Sequence, residues 1–308
     1  MSITDNNKHI VFINENNEFL QNAISGGNRI IITQLKEYFA KNAFSNFSLK
    51  FSPEGGIGFK IQEKEINLSK NEMLLAARRP GVLSYIDSEN VVTYISIDIS
   101  PDTLDEAFNF LKKENKELPV EFKSFFTSPL FFDHICNIQE VAYSQIINQL
   151  VKALYSEKSC FSFIDDKWFL KLAREIIKEE YFIYFALNNL HSLKKLSTRK
   201  EILLRLLNGK KYIDTNYLAN PEISKVASYC NLSVFYFFRS FKQAFQLTPY
   251  QYLLQKRLDH ALSLMVLNRY SLTEIAFSCG FPDIFTFSKA FKRQFRYPPS
   301  KHILIKAA

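Results

Sequence analysis

Residues 271–299, SLTEIAFSCGFPDIFTFSKAFKRQFRYPP, set six Phe among closely spaced Lys and Arg. Cations at that density can neutralise a polyanion, and the planar arginine fork can also pair two hydrogen bonds with one acceptor edge. Helical geometry, at about 100° per residue, sorts the two kinds of side chain. Phe287, Phe291 and Phe295 fall in one stripe with Ile284, whereas Lys289, Lys292, Arg293 and Arg296 fall opposite. Phe285 is the exception, because it projects among the cations.

The same chemistry occurs twice. Residues 221–249, PEISKVASYCNLSVFYFFRSFKQAFQLTP, align with the first stretch. Ala227 matches Ala276 and Cys230 matches Cys279 at an offset of 49. From there the offset is 50, pairing Phe235 with Phe285, Phe237 with Phe287, Phe241 with Phe291, Lys242 with Lys292, Phe245 with Phe295 and Pro249 with Pro299. Arg239 aligns with Lys289. The single inserted residue is Pro282, in a turn, where an insertion does not rotate a helix face.

The elements that must position these residues follow from the pattern. Ile223, Val226 and Ala227 have the spacing of a buried helical face, as do Leu272, Ile275 and Ala276. NLS forms the first turn, with Ser233 as N-cap of the next helix. CGF forms the second, with Gly280 free to take φ > 0 and Asp283 as N-cap. Each copy therefore reads as helix, turn, helix, the plan that seats a second helix in a DNA major groove. Between them YQYLLQKRLDHALSLMVLNRYS is an amphipathic helix buried through Leu253, Leu254, Leu258, Ala261, Leu262 and Met265. A stiff connector of this kind fixes the separation of two reading heads, and successive major-groove faces lie about 34 Å apart.

Charge distribution agrees. Residues 221–308 hold twelve Lys/Arg against four Asp/Glu, so the whole formal charge of +8 lies there and residues 1–220 balance to zero. A basic back half on a neutral front suggests a polyanion-binding domain attached to something else. No apolar run of about 18 residues predicts a membrane span, and the polar start MSITDNNKHI lacks a secretory pattern. Cys136, Cys160, Cys230 and Cys279 are scattered without a CxxC pair, which suggests free thiols in a reducing compartment, by default the cytoplasm.

The residues 223–265 and 271–302 resemble the DNA-binding domain of the AraC/XylS family of bacterial transcription regulators. The most specific likenesses are Arg257 and Ala261, the run EIA…CGF at 274–281, and FSKAFKRQF with the double proline at 287–299. The leading helix of that domain resembles 197–217. The resemblance implies base contacts from Phe235, Phe238 and Arg239 in the first unit and from Ile284, Phe285, Thr286, Ser288 and Lys289 in the second. Phe238 and Ile284 lie nearer the core stripe, where burial is the better reading. An aromatic at Phe235 or Phe285 suits a thymine methyl, although covering a helix contact would explain it too. Lys242, Lys292, Arg293 and Arg296 are the candidate phosphate contacts. The family commonly has Gly after each reading helix, where this chain has Gln246 and Arg296.

The front half is punctuated by short alternating segments over 45–100, and FKIQEKEINLSKNEMLLAARRPG resembles the cupin-like sensing domains that precede such DNA-binding domains. From 101 onward the pattern turns helical, with apolar faces on 137–155 and 166–190 that either pack on the sheet or pair two copies. Only His9 precedes residue 100, which argues against a metal-dependent cupin enzyme. Arg78 and Arg79 are candidates for an anionic ligand or a solvated loop. Neither a Ser-His-Asp pattern nor a phosphate loop is present, and the adjacent pairs Asp165/Asp166 and Glu179/Glu180 diverge on a helix.

The expectation is thus an α+β chain with no cofactor and no metal. A cupin-like β-barrel with following helices occupies 1–189, a linker 190–200, and an all-α DNA-binding domain 201–308. Within that domain the helix-turn-helix units fall at about 222–246 and 271–296, joined by a helix at about 249–267. The expected function is DNA-binding transcription regulation, by family habit as an activator, with double-stranded DNA and RNA polymerase as partners. A small organic effector in the front domain and a homodimer are further expectations; a ligand-independent regulator that only dimerises is the alternative.

Overall fold

A computed structural model describes residues 7–14, 27–41, 46–61, 63–77, 82–114, 118–156, 161–267 and 269–301. The chain is α+β and divides into two units, Met1–Tyr184 and Phe185–Ala308.

An 18-residue strand organises the first unit: β7 (Val82–Ile99), paired along one edge with β2 (Arg29–Lys41) through a bulge between Leu35 and Glu37. Its other edge is shared. The N-terminal part, from Val82 to Tyr85, pairs with β4 (Ile57–Ile61), itself hairpinned to β5 (Lys64–Leu68). The C-terminal part, Ile95–Ile99, pairs with β3 (Phe47–Phe51), which continues through β6 (Glu72–Ala76) to β8 (His134–Asn137). β1 (Ile10–Asn14) adds to the outer edge of β2. The expected closed barrel is corrected by this topology: the sheet forks at β7 and ends at β1, β5 and β8, no two of which pair among the described residues. Strands also start earlier than the alternating pattern over 45–100 indicated. Arg78 and Arg79 lie outside the described residues, as does Cys160.

Period-two alternation separates two cores. On one face Phe47, Leu49 and Phe51, Met73 and Leu75, and Ile95, Ile97 and Ile99 join residues of α1 (Pro101–Glu114), α2 (Ser144–Leu154) and α3 (Asp166–Asn189) in a single buried cluster. Much of the chain's Phe content is spent there, as the Phe122 ring packs against Phe125, Phe126, Tyr181 and Tyr184. The apolar faces expected of the second and third helices, including Ile147, Leu150, Leu172 and Ile176, are buried within this unit. His134 Nε2 lies 3.2 Å from Glu180 Oε1 in the same region, and both side chains are buried.

The opposite face mixes apolar and polar groups. Ile57, Phe59, Leu68, Leu74, Ala76, Val82, Ile86, Val92 and Tyr94 cluster together. Beside them the register aligns Lys50 with Ser96 and Ser48 with Asp98. Lys50 is fully buried and donates to Ser96 Oγ at 2.8 Å and Tyr94 Oη at 3.2 Å, and Arg29 pairs with Asp98 at 2.8 Å.

In the second unit α4 (Leu196–Asn216) supports everything after it. The tract 190–200, expected as a linker, is a turn followed by the first residues of this helix. Gly209 permits close approach: a Cβ there would lie 2.7 Å from the Phe237 ring and 2.8 Å from Cys230 Sγ. Among the described residues no helix is long and apolar enough to cross a membrane.

Candidate nucleic-acid interface

The duplicated sequence folds into two helix pairs, α5 (Ile223–Tyr229) with α6 (Val234–Phe245), and α8 (Leu272–Ser278) with α9 (Ile284–Phe295). Their turns share one hydrogen-bond pattern. Leu232 N–H donates to the Ala227 carbonyl and Phe281 N–H to the Ala276 carbonyl, both at 3.0 Å. Each bond closes over a left-handed residue, Asn231 at φ 53° and Gly280 at φ 76°. That is a Schellman closure, in which the left-handed residue lets the chain reverse while a terminal carbonyl stays satisfied. Pro282 falls immediately after it, so the second copy absorbs its extra residue outside both helices.

Capping sets where the second helix of each pair starts. Ser233 Oγ accepts from Tyr236 N–H at 3.3 Å, and Asp283 Oδ1 accepts from Thr286 N–H at 2.7 Å. The same backbone bond holds the exposed Asp283 carboxyl below the usual carboxylate range. At the far ends Gln246 and Arg296 take φ values of 59° and 70°, the conformation for which glycine is the usual residue. The chain keeps the backbone of the missing glycines at a cost of up to about 1 kcal/mol each.

Packing then decides which side faces outward. Phe237 and Phe241 are fully buried in the first pair, and Phe287 and Phe291 in the second. Ala227, Ala276, Cys230 and Cys279 are buried at the helix crossings, and burial pushes both thiols up to about 11. On the outward side Phe235 is 76% exposed and Phe285 82% exposed. Arg239, Thr286 and Lys289 are exposed with them, and so are Lys242, Lys292, Arg293 and Arg296; Ser288 is half-buried. Thr286 also donates its hydroxyl to Asp283 Oδ2 at 3.0 Å, which ties it to the cap. Among the described residues the six cations have no side-chain hydrogen-bond or ion-pair partner. Phe238 is partly buried with its ring 6.3 Å from Tyr250, and Ile284 packs against the core of the second pair.

The connector is α7 (Pro249–Leu267). It is fastened to α4 through Asp214, which accepts from Lys210 and Lys256 at 3.0 Å and from Tyr252 Oη at 2.6 Å. Burial pushes the Asp214 carboxyl up, but Tyr252 and the two lysines outweigh it and hold the group below its ordinary value. Sequence reasoning missed this hub, because no local pattern pairs residues 38 positions apart. It also missed the capping box of Ser271 with Glu274, although S-x-x-E before an apolar run was there to be read.

Comparison with known proteins matches residues 226–303 to the family described as "Helix-turn-helix domain". The Msm operon regulatory protein of Streptococcus mutans serotype c (strain ATCC 700610 / UA159) is 26% identical over 271 residues, 85% of this chain and 86% of that protein. The HTH-type transcriptional activator RhaS of Escherichia coli O9:H4 (strain HS) is 28% identical over 201 residues, 65% of this chain and 64% of that protein. Among solved structures, an AraC-type transcriptional regulator from Chromobacterium violaceum is 25% identical, covering 32% of this chain and 89% of its own, with a TM-score of 0.31. These relatives are transcription regulators and not enzymes. The duplicated helix-turn-helix, Arg257 and Ala261 of the connector and these likenesses agree with the resemblance to AraC/XylS regulators, and residues 226–303 are a helix-turn-helix domain similar to theirs.

Proposed function

We propose that this chain is a sequence-specific transcription activator whose α6 and α9 read two segments of one DNA duplex. The observation that carries the reading is the paired outward surface: in each copy an exposed phenyl ring stands one helical turn from a cation that has no partner among the described residues. Exposing a ring the size of Phe forgoes about 1.5–3 kcal/mol of burial, so two equivalent exposures are explained best by a partner that covers them. In this reading Phe235, Arg239, Phe285, Thr286, Ser288 and Lys289 contact bases. The rings meet thymine methyls, Arg239 and Lys289 address guanine edges, and the hydroxyls of Thr286 and Ser288 supply adaptable donors. Lys242, Lys292, Arg293 and Arg296 clamp phosphates and fix the register. Activation is supported by the similarity to RhaS, a transcriptional activator, and RNA polymerase is the partner that this reading entails.

Control by a small effector bound in the first unit is the companion reading. It is supported by the second sheet face, where Lys50 is buried and the hydroxyls of Thr33 and Ser48 are buried with no hydrogen-bond partner among the described residues. A ligand bearing acceptor groups would satisfy such a face. The alternative, a regulator without ligand that only dimerises, draws support from the neighbouring interior, which Ile57, Phe59, Leu68 and Ile86 already fill.

The test is selection by the full-length chain from a pool of random duplexes at about 150 mM salt, where phosphate-only binding is weak. Enrichment of a two-part sequence is the expected result. Retention of the pool without sequence preference would contradict the reading.

A further inference from the structure

Arg257 lies on α7 and is buried, and its guanidinium holds three acceptors from two separate parts of the domain. Nε–H donates to the Tyr217 carbonyl at 2.8 Å, and Nη2–H donates to Asn220 Oδ1 at 3.0 Å. Both belong to the segment that leads into α5, where Asn220 is itself left-handed at φ 56°. Nη1–H donates to the Gly280 carbonyl at 3.0 Å, in the turn between α8 and α9. Gly280 is pressed against the guanidinium, since a Cβ there would sit 3.0 Å from Arg257 Cζ. One side chain therefore joins the entrance of the first helix pair to the turn of the second.

The chemistry of the site is specific to arginine. Among the described residues no carboxylate pairs with Arg257, and all three acceptors are neutral. Burying a charge against neutral acceptors is a poor way to gain stability, whereas a rigid planar fork with fixed donor directions is a good way to set an angle. One residue earlier, Lys256 and the Asp214 hub fasten α7 to α4. Through α4, which packs on Cys230 and Phe237 at Gly209, the first pair is tied to the connector; the second packs on α7 at Leu258, Ala261 and Met265, and the Gly280 bond adds a directional tie to that packing.

We propose that Arg257 is a positioning residue that sets the separation and relative angle of the two reading helices, and so the number of base pairs required between the two halves of the operator. The inference rests on the reading that α6 and α9 both engage DNA. In the experiment the full-length wild-type chain selects its duplex from a random pool, and one or two base pairs are then inserted between the two enriched halves. A single insertion should cost the wild type about tenfold or more in affinity, the scale of a lost specific contact. Arg257→Lys keeps the charge and loses the fork, so it should bind the parent duplex more weakly while its insertion penalty shrinks to about threefold or less. Asn220→Gly keeps the left-handed backbone accessible and removes only the Oδ1 acceptor, so it should shift the penalty the same way by less, and it decides the matter if Arg257→Lys fails to fold. Variants that weaken binding equally at every spacing, with the wild-type insertion penalty intact, overturn the inference but leave two-head recognition standing. A wild-type chain that enriches only one short element overturns both.

Discussion

Phe235 and Phe285 share a register position and an exposure, and their nearest equivalents inward, Phe237 and Phe287, are fully buried. Two residues along a helix change the direction of a side chain by about 200°, which is why one ring faces solvent and the next the core. This much was legible from the sequence by helical spacing alone. The long-range partners of single residues were not. Arg257 was visible as a family marker, but its acceptors lie 40, 37 and 23 positions away and only the fold brings them together. His134 is another residue of that kind. Burial pulls its imidazolium down, but the Glu180 carboxylate and the Phe132 carbonyl outweigh it and hold the group above its ordinary value of 6.5. A pKa raised in the folded state contributes stability that is fully present below the unfolded value and lost as pH rises through the folded one. His134→Gln should therefore destabilise the chain by about 1–3 kcal/mol below pH 6.5, with the difference narrowing as pH rises above that value. Urea unfolding of both proteins across that range checks it; a gap that stays constant with pH would show that the pair is not titrating.

At the scale of elements the two halves of the chain differ in how openly they announce themselves. Helices α5 to α9 carry caps, breakers and apolar stripes at local spacing, and Ser233, Asp283 and Gly280 act in the turns and caps where the sequence placed them. β2 was not recognised, because RIIITQLKEYFAK opens with a continuous apolar run and then spaces Leu35 and Phe39 four apart, as a helix would. β8, only four residues long, was not recognised in the tract read as helical from 101 onward. Sheet closure was beyond local reading altogether, since the division of one edge of β7 between β3 and β4 is a matter of distant pairing. Close packing of α4 on the first helix pair gives a prediction at this scale. Ala is favoured over Gly inside a helix by about 1 kcal/mol, yet a methyl group on Gly209 would collide with Phe237 and Cys230, both buried. Overpacking of that kind costs about 1–3 kcal/mol, so Gly209→Ala should lower the urea midpoint rather than raise it. An unchanged or higher midpoint would mean that this contact yields easily.

For the whole molecule the informative quantity is where the charge lies. The net +8 falls entirely within residues 221–308, the same part of the chain that carries the duplicated helix pairs and the whole of the family match. The first unit, Met1–Tyr184, holds 20 Lys/Arg against 25 Asp/Glu, a net charge of −5, so the attraction for a polyanion belongs to the second unit alone. The most direct measurement of the central claim compares Arg239→Ala and Lys289→Ala with the wild type, on the selected duplex and on random DNA. Each substitution is expected to cost about 1–3 kcal/mol on the selected duplex and little on random DNA, and to relax base preference in one half of the site only, a different half for each. Equal losses on both DNAs, with base preference unaltered in either half, would reduce these side chains to backbone contacts and contradict the account.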